Sequence, residues 1–149
     1  MLINSIKRIE GKNLVCSYIH SNIKNGSIIA LDVEGNIADA DIKELGNNIA
    51  VHTTANTVVA VNKDSIDPKI LEAKKAEYSE EIKKQGKPDN IVAKIVEGKL
   101  AKFYKDETLY AQPYLKNEEI TVEENITSVA KKTGAKIKVS GFIKTIIGE

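Results

Sequence analysis

Pro68–Asp106 reads PKILEAKKAEYSEEIKKQGKPDNIVAKIVEGKLAKFYKD, and its spacing predicts two helices folded back on each other. In the first segment Leu71, Tyr78 and Ile82 fall on one face of an otherwise charged helix. Gly86 suits the C′ position that ends it. Pro88 suits the first helical position of the second segment, where a missing N–H costs nothing, and Asp89 favours the positive end of the helix dipole. Ile91, Val92, Ile95, Val96, Leu100 and Phe103 then recur at spacings of three and four, a broad apolar face. The unit is a helical hairpin at about 68–106. Its outer face mixes Glu72, Lys74, Lys75, Glu77, Glu80 and Glu81, as a solvated arm does. Such an arm has weak reasons to fold alone and is expected to protrude from a globular body toward a partner.

Upstream, Asn13–His20 (NLVCSYIH) and Ser27–Val33 (SIIALDV) are β-branched, partly alternating and predicted as strands. Ser21–Gly26 joins them as a hairpin loop, with Asn25-Gly26 supplying positive φ. A helix is predicted from an Asp41 N-cap with Glu44 three residues on. Ile42, Leu45, Ile49 and His52 form its stripe, while Gly46 and Asn47-Asn48 weaken its propensity, so packing on the sheet is expected to hold it. Downstream, Gln112–Lys116 is predicted as a loop, since Pro113 disfavours helix at its neighbour. Thr121–Glu124 is a capping box opening a helix with Val122, Ile126, Val129 and Ala130 inward and Gly134 at its end. Ile137, Val139 and Ile143 alternate with Lys136, Lys138 and Lys144, a last strand with one buried and one wet face. The fold class is α+β, a small three-stranded antiparallel sheet packed against helices with a protruding antiparallel helical hairpin.

The 149 residues suit one domain, and 42% hydrophobic with 29% charged residues is ordinary globular composition. Twenty-two basic against 21 acidic residues leave a net charge of +1, which gives no global field for nucleic acid or an anionic membrane. Cys16 is the only cysteine, so no internal disulfide forms, and a reducing, cytoplasmic setting is expected. No apolar run approaches the roughly 20 residues of a spanning helix. His20 and His52 lie in no HExxH pattern, and no glycine-rich turn precedes a helix to cradle phosphate. No metal or cofactor is expected. Cys16 and Ser17 lack an orienting base, and the carboxylates lie on charged helical faces, so the chain is expected not to be an enzyme. From the residues alone His20 is a loop-edge histidine making local hydrogen bonds, His52 faces the core, and Tyr104, Tyr110 and Tyr114 are packing residues. That reading stops at a binding module.

Gly86–Tyr104 (GKPDNIVAKIVEGKLAKFY), followed by Leu109 and Gln112–Lys116 (QPYLK), resembles the stretch of translation elongation factor Ts between the tip of its helical hairpin and the next loop. Glu10-Gly11, Ser17–His20 (SYIH), Ile49–His52 (IAVH) and Gly141–Ile143 (GFI) resemble further landmarks of that family in the same order, over nearly the whole chain. The resemblance implies a dimerisation-domain-like fold and a protein that binds elongation factor Tu carrying GDP, loosens its nucleotide and magnesium site and lets GTP replace GDP in the bacterial cytoplasm. The family core has two related subdomains. Ile3–Gly11 (INSIKRIEG) echoes Val139–Glu149 (VSGFIKTIIGE), so residues 1–11 are expected to be the remnant of a preceding subdomain's strand and 12–149 the hairpin-bearing core subdomain. The resemblance carries partner contacts onto His20, Tyr114, Leu115 and Lys116. Family members usually have phenylalanine at Tyr114 and valine at Leu115, and the loop after His20 lacks their run of glycines and is one residue longer. The family's Thr-Asp-Phe-Val motif, which disturbs the magnesium site, is missing; after the second strand the chain reads DVEGNIAD over Asp32–Asp39. This half is therefore expected to hold the β-barrel part of elongation factor Tu and supply binding more than exchange. The alternative is self-association, a homodimer or docking module built on the helical hairpin.

Overall fold

A computed structural model describes residues 7–9 and 13–147. Of the expected strand remnant over 1–11 only residues 7–9 are described, and they carry no strand; the rest, with Glu10-Gly11, lies outside the described residues. In chain order the elements are β1 (Leu14–Ile19), β2 (Asn25–Glu34), α1 (Ala40–Ala55), a 3-10 turn (Lys63–Ser65), α2 (Pro68–Lys83), α3 (Asp89–Glu107), β3 (Pro113–Tyr114), β4 (Asn117–Thr121), α4 (Val122–Thr133) and β5 (Lys136–Ile146). They form two units, one holding the residues up to Thr57 and from Pro113 onward, the other Val58–Gln112.

In the first unit an antiparallel sheet has the order β1-β2-β5, so the α+β expectation with three strands holds. The turn between β1 and β2 is built differently from the expected one. Asn25 and Gly26 are extended, because both pair with β5 at Ile146 and Thr145, and the positive φ falls on Ile23 at 58°.

β5 also departs from simple alternation. Leu31 pairs with Val139 and Ala30 with Gly141, which leaves Ser140 as an extra, bulged residue whose Oγ donates to the Ala30 carbonyl at 3.1 Å. One extra residue turns every later side chain to the other face. Val139 lies beside Leu31 on the helix-covered face, but past the bulge Phe142 (opposite Ile29) and Lys144 (opposite Ser27) take that face, and Ile143 lies beside Ile28 on the reverse. Ile143 thus does not share a face with Ile137 and Val139 as alternation predicts. Lys144 finds a polar use inside, its Nζ donating to the Asn56 carbonyl at 2.8 Å, just past the end of α1 where helical carbonyls lack partners.

α1 packs on β1 and β2 through the expected stripe, with Ile42, Leu45, Ile49 and His52 all buried. Full burial of each such aliphatic side chain stabilises by about 1.5–3 kcal/mol. The N-cap is Asp39, whose carboxylate accepts from the Asp41 N–H at 2.9 Å. Asp41 instead sits in the first turn and pairs with Lys132 of α4 at 2.8 Å. α4 begins with the expected capping box, the Glu124 N–H donating to Thr121 Oγ1 at 3.2 Å and the Thr121 N–H to Glu124 Oε2 at 2.7 Å. Gly134 ends it in the left-handed conformation at φ 68°. Gln112–Lys116 is not a plain loop: Pro113 and Tyr114 pair with Thr121 and Asn117, making a short hairpin turned by Leu115-Lys116. A proline is tolerated on so short an edge strand.

In the second unit α2 and α3 form the expected hairpin. Ile82, Val92, Leu100 and Phe103 are buried, but Ile91 is 44% exposed, because a helix with one neighbour covers only a narrow stripe. Pro88 is the N-cap of α3 and Asp89 its first residue, and Gly86 makes the reversal at φ 73°. Lys99 links the helices to Glu81 at 2.5 Å. At the base Ala60, Ile66 and Phe103 form a small core flanked by Leu71 and Tyr104. A parallel bridge from Ala60 to Thr108, with the Leu109 N–H donating to the Ala60 carbonyl at 2.9 Å, ties the unit's two ends together.

Candidate partner-binding site

His20 follows β1 at the end of the sheet and is exposed. Its N–H donates to the Asn25 carbonyl at 2.8 Å, which closes the β1–β2 turn. The Nδ1 atom lies 3.2 Å from Tyr18 Oη, and the two rings are tilted by 57°. This is the local hydrogen bonding expected of a loop-edge histidine.

The other three carried-over residues come together on the β3–β4 hairpin, in different roles. Tyr114 is 6% exposed and is an anchor, not a surface contact. Its ring stacks on His52 with centroids 6.5 Å apart and planes 19° apart. Burial pushes its phenol up from the ordinary 10.0, Glu44 adds to this, and hydrogen bonds with Asn48 and Asn125 work in the opposite direction. The hydroxyl therefore stays protonated at neutral pH. Leu115 donates its N–H to Nδ1 of the buried His52 at 3.2 Å. That nitrogen accepts and so carries no proton. The Leu115 side chain is 44% exposed, and the Lys116 Nζ lies 3.8 Å from a Glu44 carboxylate oxygen, also at the surface.

The arrangement is a fixed turn that offers one apolar and one cationic side chain, with α1 as its support. His52 and Asn48 are the supports that residue-level reading did not assign. The apolar stripe pointed His52 inward, but no local signal tells that its Nδ1 meets a backbone N–H 63 residues later.

Cys16 is buried, and burial raises its thiol from the ordinary 9.0, which leaves it a poor nucleophile. Among the described residues no group of three His, Cys, Asp or Glu side chains is placed to hold a metal ion, and no helix is long and apolar enough to cross a membrane.

Residues 1–149 match the family described as Elongation factor TS. Elongation factor Ts of Thermosipho melanesiensis is 37% identical over 144 residues, which is 95% of this chain and 74% of that protein. Elongation factor Ts of Fervidobacterium nodosum is 36% identical over 140 residues, 93% of this chain and 71% of that protein. With elongation factor Ts of Magnetococcus marinus the identity is 35% over 150 residues, covering all of this chain but only 49% of the relative. The chain thus spans from about half to about three quarters of the length of these relatives. The match over every residue, together with identities above 30% across nearly the whole chain, places this protein in the elongation factor Ts family.

Proposed function

We propose that this chain binds elongation factor Tu in the cytoplasm and promotes replacement of its GDP by GTP, with this stretch mainly supplying affinity and orientation. It works as an exchange factor and carries out no covalent chemistry. The observation that carries the reading is the turn at Leu115-Lys116, whose backbone is held by His52 and whose root, Tyr114, is buried. A surface fixed before binding loses less conformational entropy on docking, so it is suited to supply affinity. A bias toward binding over exchange is supported by the lack of Thr-Asp-Phe-Val anywhere in the 149 residues.

Release of a fluorescent GDP analogue from elongation factor Tu, read alongside calorimetric binding, tests both parts. The expected result is a measurable complex with acceleration well below that given by a full-length relative. Absence of any complex overturns the binding assignment, and full acceleration overturns the division of labour.

A second reading, self-association through the helical hairpin, is supported by Ile70 and Ile91, which are 40% and 44% exposed on α2 and α3. Light scattering over a concentration series tests it. Dimers that disappear in Ile70→Lys or Ile91→Lys, with the circular dichroism spectrum unchanged, support this reading; a monomer at every concentration removes it.

A further inference from the structure

The helical hairpin carries a groove of about 570 Å³ between α2 and α3. Its walls are built at helical spacing, each from residues four apart that share one helix edge. Lys75, Ser79 and Lys83 form the α2 wall, and Asp89, Ala93 and Glu97 the α3 wall. One wall is therefore cationic and the other anionic. The floor between them is apolar, with Val92 and Leu100 buried and Val96 half-buried. The four wall charges are exposed. The ion pairs of the hairpin are Lys74 with Glu77 and Lys99 with Glu81, and among the described residues none engages Lys75, Lys83, Asp89 or Glu97.

Walls of opposite sign at matched heights make this face self-complementary. The hairpin reverses at Gly86, and Lys83 with Asp89, Ser79 with Ala93, and Lys75 with Glu97 lie equally far in sequence on either side of it. A second hairpin related by a two-fold axis along the helices sets its α3 over this α2 at the same height. Lys83 then meets Asp89 of the second copy, Lys75 meets Glu97 of the second copy, and each pair occurs twice. The small Ser79 and Ala93 fall together between the charges, which lets the helices approach and the lysine stems cover the floor. With the two-fold axis across the helices, α2 instead lies on α2. Lys75 then meets Lys83 and Asp89 meets Glu97, so like charges face each other throughout. The charges select the parallel orientation by attraction and reject the antiparallel one by repulsion.

We infer that this groove is a weak, parallel homodimer interface, occupied by the same groove of a second copy of the chain. Such a dimer is independent of the proposed binding of elongation factor Tu. Neither Ile70 nor Ile91 lines the groove, so it is also separable from association through those two residues. A face this short buries less than the roughly 1,200 Å² at which stable complexes begin, so the dimer is concentration-dependent, and its exposed ion pairs make it weaken with salt.

Sedimentation equilibrium over a concentration series at low salt tests this, with circular dichroism confirming the fold of each variant. The native chain is expected to dimerise with a dissociation constant of about 0.1–1 mM. Lys75→Glu/Lys83→Glu makes both walls anionic, and Asp89→Lys/Glu97→Lys makes both cationic. Each is expected to dimerise at least about tenfold more weakly, and an equimolar mixture of the two to regain association. Lys75→Glu alone is expected to weaken the dimer, whereas a stronger dimer would mean the antiparallel orientation and overturns the inference. A native chain that stays monomeric up to about 1 mM overturns it. So does a mixture that regains nothing, or a dimer lost in Ile91→Lys but unaffected by both double variants; that last result leaves association through Ile91 standing. Binding of elongation factor Tu is untouched by any of these outcomes.

Discussion

One methyl group at Gly46 separates two opposing effects. Alanine favours helix over glycine by about 1 kcal/mol, so propensity alone predicts that Gly46→Ala stabilises α1. A Cβ at this position, however, would collide with Cys16 Sγ and come within 3.2 Å of Leu31 Cδ1, where the helix crosses the sheet. Overpacking of that kind costs about 1–3 kcal/mol. The clash wins, and urea unfolding of Gly46→Ala is expected to show a loss of about 1–2 kcal/mol, most of it recovered when Cys16→Ala is added. The glycine was readable in the sequence only as a weak point in a helix. Its necessity was not, because the colliding atom comes from β1, brought close only by folding. Tyr114 gives a related lesson. Its type and position were legible, but whether it touches a partner or anchors the turn that does depends on the rings and amides of α1 and α4 that enclose it.

Local order makes some elements legible and partners make others. The capping box at Thr121 and Glu124 and the left-handed Gly134 could be read directly, since each joins atoms a few residues apart. The short β3–β4 hairpin could not, because Asn117–Thr121 (NEEIT) has no apolar alternation to announce a strand. In β5 the alternation holds only as far as Ser140, since the bulge is a property of the pairing with β2 and not of β5 alone. This yields a test in which strict alternation and the observed register disagree. Phe142→Lys is expected to destabilise by at least about 2 kcal/mol, because a charge would enter the helix-covered face, whereas Ile143→Lys on the reverse face is expected to cost about 1 kcal/mol or less. Equal losses, or the opposite order, in denaturant titrations would mean that Ser140 is not the extra residue.

For the whole molecule, the buried titratable groups set the response to alkali. Cys16 and Tyr114 are both raised by burial from ordinary values of 9.0 and 10.0, so folding favours their neutral, protonated forms. The stability they contribute is fully present below those ordinary values and is lost as pH rises through the raised folded values. The thermal midpoint is therefore expected to fall progressively above about pH 9, and Cys16→Ala should flatten the first part of that decline. A midpoint unchanged up to about pH 11 would refute this assignment. The sequence by itself determined the α+β class, the helical hairpin, the stripe that buries His52 and the caps of α4, because periodicity and capping arise from contacts within one or two turns of chain. Only the tertiary structure decided the face on which Ile143 lies, the need for Gly46, the support of Leu115 by His52 and the left-handed turn at Ile23. Each of these depends on an atom supplied from another element or on the register of a paired strand, and no local pattern records where folding will place it.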